Sequence, residues 1–179
     1  ATLTAIDGAA NDEFGSAIAI ASDGSRTLVG APNDDSAGGF NNGTARVHLR
    51  TGTSWAEEKM LEPLDATAFD YMGQSVALSA DGTRAVVGVS GDPTATYPDA
   101  GSARVFFRSG SRWIQEWILA PVSATGDERL GTAVSMSADG TRALIGMSGY
   151  MSLSGGARLY LRTGTAWGEE TLLVPSGAV

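Results

Sequence analysis

One interval, 58 residues, organises this chain. Gly15, Gly73 and Gly131 are spaced by it, as are Asp23, Asp81 and Asp139, and Gly30, Gly88 and Gly146. Ala45-Arg46-Val47 returns as Ala103-Arg104-Val105 and then as Ala157-Arg158-Leu159, and Trp55, Trp113 and Trp167 follow the same rule. The second step of these later markers is 54, so the third copy lacks four residues between Gly146 and Ala157. A repeat of this length marks an array whose units cannot bury their apolar faces alone and must pack on their neighbours.

Within each copy the side chains alternate at period two. Residues 16–21, 74–79 and 132–137 put large apolar groups on one face (Ile18, Ile20; Val76, Leu78; Val134, Met136). The other face is small (Ala17, Ala19; Ser75, Ala77; Ala133, Ser135). This is the pattern of a strand, and a large face beside a small one lets sheets pack closely around a crowded centre, so this strand is expected innermost. An Asp-Gly turn follows in every copy, then a second strand ending at Gly30, Gly88 or Gly146, a long polar loop, a third strand carrying the Ala-Arg pair, and a Gly-centred turn at Gly52, Gly110 or Gly164. The outer strand runs from Trp55 to Leu61 and its equivalents, and no segment reads as a helix longer than one turn. The expected fold is all-β: a β-propeller of four-stranded antiparallel blades, three in this chain, spanning about residues 3–61, 61–119 and 119–173.

Phe14-Gly15 followed by Gly30-Ala31-Pro32 resembles the two halves of the FG-GAP repeat, the blade unit of integrin-α-like propellers. The second copy has Met72-Gly73 and Gly88-Val89-Ser90, the third Leu130-Gly131 and Gly146-Met147-Ser148, so the motif is literal only in the first. The resemblance implies an extracellular or cell-surface propeller used in adhesion and recognition, often with bound calcium. The family's metal loop places carboxylates or amides at alternating positions before Asp-Gly, because a hard cation takes six or more oxygens. Here those positions are Ala19 and Ala21, Ala77 and Ser79, Ser135 and Ser137. Asp23, Asp81 and Asp139 therefore read as turn formers bonded to nearby backbone amides.

The chain has 20 acidic and 12 basic residues, a net charge of −8, which excludes nucleic acid and anionic membrane surfaces as partners. Cysteine is absent, no apolar run approaches membrane-spanning length, and the chain begins at Ala1 rather than Met, as a mature form or a piece of something longer would. The one histidine, His48, stands where the other copies carry Phe106 and Tyr160, which is a packing position. With no nucleophile beside a base, the sequence predicts a non-enzymatic chain that requires no cofactor. Of 11 arginines, nine occupy three repeated positions: 26, 84 and 142; 46, 104 and 158; 50, 108 and 162. Their expected partners are the turn aspartates and outer-strand acids such as Glu57, Glu58, Glu169 and Glu170.

The connections expected on one face of the propeller hold Asp7, Asp12, Glu13, Asp34, Asp35, Asp65, Asp70, Asp92, Asp99, Asp127 and Glu128, which is 11 of the 20 acids, against Arg129 alone. The leading functional expectation is recognition of a protein or glycan ligand through this acidic face, with Asp34, Asp35, Asp92, Asp99, Asp12, Asp70 and Asp127 as ligand-binding candidates. Asn33, Asp34, Asp35 and Asn41 are the candidate ligands for calcium. One alternative is a lectin that stacks sugars on Trp55, Trp113 and Trp167, and another is a self-assembling structural protein. Asn42-Gly43-Thr44 is an N-glycosylation acceptor tripeptide. Three blades leave two end faces uncovered, so the chain is expected as a homodimer closing a six-bladed ring, or as part of a longer chain that supplies the missing blades.

Overall fold

Each repeat folds into one antiparallel sheet whose strands pair in chain order. The computed structural model describes residues 2–94, 96–122, 124 and 126–176. Blade one is β1 (Ile18–Ile20), β2 (Arg26–Ala31), β3 (Thr44–Thr51) and β4 (Ser54–Leu61). Blade two is β5 (Met72–Leu78), β6 (Arg84–Val89), β7 (Ser102–Ser109) and β8 (Arg112–Leu119). Blade three is β9 (Leu130–Met136), β10 (Arg142–Met147), β11 (Gly156–Thr163) and β12 (Ala166–Leu173). The shortened loop of the third copy closes with a single helical turn, α1 (Tyr150–Leu153), the only helix among the described residues.

The alternating faces of the innermost strand decide how blades stack. Val76 and Leu78 of β5 pack on Leu28, Val47 and Leu61 of blade one, while Ala19 of β1 joins the same cluster from its small side. Val134 and Met136 of β9 pack likewise on Val86, Val105 and Leu119 of blade two. The large face of each blade thus looks back at the blade before it. Each fully buried Leu or Val in these clusters contributes roughly 1.5–3 kcal/mol over its exposed state. Blade one has no blade before it, so Ile18 is 74% exposed and Ile20 62%. At the opposite end Leu144 lies exposed beside Ser135, its neighbour across the sheet.

Close approach of the sheets explains one repeated glycine. A Cβ on Gly30 would lie 1.9 Å from the carbonyl oxygen of Gly73, and one on Gly88 would lie 2.0 Å from that of Gly131. β5 and β9 also gain a parallel bridge to the preceding blade, Gly43 to Met72 and Gly101 to Leu130. The expected innermost strand over residues 16–21 shrinks to three residues in blade one, where no such bridge braces it.

The arginines form a repeated ladder at the outer edge. Arg26, Arg84 and Arg142 pair with Glu58, Glu116 and Glu170 of their own blades. Arg108 reaches back to Glu58 at 2.9 Å, and Arg162 reaches back to Glu116 at 2.9 Å, so each acid joins two blades. Burial pushes the Glu58 carboxyl up, but donation from Arg26, Trp113 and Arg108 outweighs it and holds the group below the ordinary value. The turn aspartates bond backbone amides, as their turn reading expected, and are not the arginine partners also expected of them. Asp23, Asp81 and Asp139 accept the N–H of Ser25, Thr83 and Thr141 two residues on, at 2.8, 3.0 and 3.0 Å, because the tight turn points each carboxylate at its own backbone.

Trp113 and Trp167 are buried against the preceding blade, and the indole N–H of Trp113 donates to Glu58 at 3.1 Å. Neither ring offers a sugar an open face, whereas Trp55 is half-buried. His48 is 2% exposed, edge-on to Phe14, with Nε2 3.3 Å from the Thr4 carbonyl oxygen.

Candidate functional site

Third-strand arginines cross from the sheet to the loop face and change its charge. Arg46 Nη2 lies 2.9 Å from Asp34 and also meets Asp7, while Nη1 reaches Glu57. Arg104 pairs with Asp65 at 3.0 Å and Asp92 at 2.9 Å, and Arg158 pairs with Glu128 and Glu169. All three guanidinium groups are buried. Five of the loop acids, Asp7, Asp34, Asp65, Asp92 and Glu128, are therefore ion-paired from below by three buried cations, which offset part of the negative charge expected from the loops alone.

The candidate ligand acids divide accordingly. Asp34 is buried between Arg46 and the Thr44 hydroxyl, and Asp92 sits between Arg104 and the Ser102 hydroxyl. Asp12 is buried and accepts the Ala9 N–H. Asp70 is fully buried and accepts both the N–H and the hydroxyl of Thr67 at 2.7 Å; burial pushes its carboxyl up. These four hold loops in shape. Asp35, Asp99 and Asp127 keep solvent-facing carboxylates, with Asp35 accepting the Asn41 N–H and Asp127 the Asp99 N–H.

Asn33, Asp34, Asp35 and Asn41 do share one shallow cleft of about 290 Å³, together with Asp7 and Asp12. Arg46 already occupies Asp7 and Asp34 there, and among the described residues no three His, Asp or Glu side chains converge on a point suited to a metal. Asn42, the residue of the glycosylation tripeptide, lies inside the folded loop. Its side chain is fully buried, with Nδ2 donating to the Ser36 hydroxyl and Oδ1 accepting the Ser36 N–H.

A larger cleft of about 680 Å³ opens on the same face, where the innermost strands begin. Equivalent positions from all three blades line it: Ser16, Gln74 and Thr132 after the repeated glycine; Pro32, Ser90 and Ser148 after the second strand; and Glu13, Tyr71 and Arg129 two residues before the glycine. The last three share a backbone conformation uncommon for residues with side chains, with φ of 56°, 55° and 53°. Backbone bonds to the neighbouring blade hold two of them there, Tyr71 N–H to Asn41 at 3.1 Å and Arg129 N–H to Asp99 at 3.0 Å. One structural position therefore displays a carboxylate, a phenol and a guanidinium around one mouth. Asp99 stands at the rim, 3.9 Å from Arg129. Sequence reasoning placed Glu13 and Arg129 among loop charges and passed over Tyr71. The findable signal was their common 58-residue spacing just ahead of the glycine.

The arrangement offers hydrogen-bonding and ionic contacts to whatever enters it. Hydroxyls, amides, two carboxylates and one guanidinium face the cleft, and His48 is held elsewhere in the fold. No helix among the described residues is long and apolar enough to cross a membrane.

The family model described as the FG-GAP repeat matches residues 1–47 and 55–106. No curated protein matches the chain in sequence. Among solved structures, that of Saccharomyces cerevisiae Sqt1 is similar with a TM-score of 0.57 at 9% identity, over 93% of this chain and 37% of that one. Hydrazine synthase of Kuenenia stuttgartiensis is similar with a TM-score of 0.56 at 12% identity, over 97% of this chain and 40% of that one. The chain thus spans about two fifths of the length of these structures, and at such identities the likeness is one of fold.

Proposed function

Because the chain belongs to the FG-GAP repeat family, and is built as a propeller-type scaffold, we propose that it binds a protein ligand non-enzymatically through the mouth on its loop face, in an extracellular or cell-surface setting. The observation that carries this reading is the set Glu13, Tyr71 and Arg129, three different chemistries at one repeated, left-handed position around a single cleft. Residues held in sparsely populated conformations cluster where they serve recognition. Glu13 and Asp99, with Asp35 and Asp127 on the surrounding loops, favour a segment that carries a cationic side chain, which the net charge of −8 would also draw in.

Glycine accepts positive φ without strain, so Glu13→Gly/Tyr71→Gly/Arg129→Gly removes the side chains and keeps the backbone. An immobilised peptide library probed with both proteins tests the reading. The expected result is capture of Lys- or Arg-bearing peptides by the parent chain and at least ~10-fold weaker capture by the triple variant. Equal capture by a folded triple variant would remove the mouth from the proposal.

A further inference from the structure

Several contacts that join blade one to blade two recur between blades two and three, and each of these leaves one unmatched half at either end of the array. Arg108 and Arg162 reach back to Glu58 and Glu116, but Arg50, their equivalent, has no side-chain partner among the described residues. Glu170, the equivalent acid of blade three, meets only Arg142 among the described residues, at 3.3 Å. The Ser22 N–H donates to the Ala80 carbonyl and the Ala80 N–H to the Ala138 carbonyl, each at 2.9 Å, which leaves the Ser22 carbonyl and the Ala138 N–H without such a counterpart among the described residues. Gly146 keeps the glycine of the close approach although only its own sheet lies near it, and Gly15 has nothing within 4 Å.

The two end faces are also complementary in size and charge. Blade one offers Ile18, Ile20 and the Arg50 cation; blade three offers the small Ala133 and Ser135, exposed Leu144 and the Glu170 carboxylate. A cleft of about 360 Å³ lined by Leu161, Trp167 and Glu170 lies at the position where Glu58 of blade one receives Arg108 and Trp113. We propose that this cleft receives Arg50 and Trp55 of a second copy of the chain, and that two copies, blade three of each on blade one of the other, close a six-bladed ring by two-fold symmetry. Closure surrounds the mouth with six loops, so Glu13, Tyr71 and Arg129 each appear twice around it.

Charge reversal tests the docking directly. Native mass spectrometry and light scattering at micromolar concentration are expected to give twice the 18.3 kDa mass for the parent chain. Arg50→Glu and Glu170→Arg alone each set like charges together and are expected to weaken association at least ~10-fold, while circular dichroism keeps its strand signature. Mixed together, the two variants restore an opposite pair at both interfaces, and a dimer with one copy of each is expected. A parent chain that is folded and monomeric overturns the proposal, as does a dimer indifferent to both reversals. A larger, open assembly overturns the closed ring.

Discussion

Glu58→Gln is expected to lower stability by about 2–3 kcal/mol. The carboxylate accepts from Arg26 Nε at 2.9 Å, Arg108 Nε at 2.9 Å and Trp113 Nε1 at 3.1 Å, and its side chain is 9% exposed. Removing one partner of a buried ion pair costs roughly 3–5 kcal/mol, because the remaining charge is left uncompensated. The Arg26 and Arg108 side chains, at 12% and 22% exposure, admit some water, and the glutamine oxygen still accepts one donor, so the lower figure applies. For a domain of this size the melting temperature should fall by about 5–10 °C. Urea unfolding, followed by tryptophan fluorescence at one fixed protein concentration, measures the loss. A double-mutant cycle with Arg108→Gln isolates the link between blades and is expected to return at least ~1 kcal/mol of coupling. The effect also has a pH signature. A folded carboxyl held below the ordinary value of 4.5 stabilises fully above that value, and the contribution disappears as pH falls through the folded one, so parent and variant should converge in acid. Coupling below ~0.3 kcal/mol would refute the claim that the ion pair ties blade two to blade one.

Gly88→Ala should cost more than ~3 kcal/mol, since its Cβ would meet the Gly131 carbonyl at 2.0 Å and backbone cannot step aside cheaply. Gly168→Ala, in the open, should be neutral or stabilise by ~0.5–1 kcal/mol, and equal losses in the two melting curves would contradict the packing described. The Asp139 carboxyl, bonded by the Ser137 hydroxyl and by Thr141, is expected to titrate at about 2 in a carbon-detected NMR series.

What the sequence made legible was local. Period-two alternation identified the innermost strand and its two faces, because a strand's geometry is fixed by its own residues. It could not say which face looks back, since that depends on the neighbouring sheet: Val76 meets Leu28, and no rule internal to either strand pairs them. The outer-strand acids were readable as arginine partners because both members recur with the repeat. The loop acids were misread as free because Arg46 and Arg104 lie ten or more residues away along the chain and reach them only across the blade. Asn42 looked like a surface residue for the same reason, since its partner Ser36 faces it only once the loop has folded back.

The backbone at Glu13, Tyr71 and Arg129 carries a consequence for how such a protein can change over time. Main-chain bonds to the neighbouring blade hold the conformation at Tyr71 and Arg129, and none of the three side chains is buried in the core, although Tyr71 lies beside Phe69 and Gly91. Mutation can therefore rewrite the chemistry displayed at the mouth one blade at a time while leaving the sheets intact. Glycine would be the most stable occupant of a left-handed position, by up to about 1–2 kcal/mol. Each copy instead retains a large polar residue, so a drift toward stability at these three sites would be a drift toward silence.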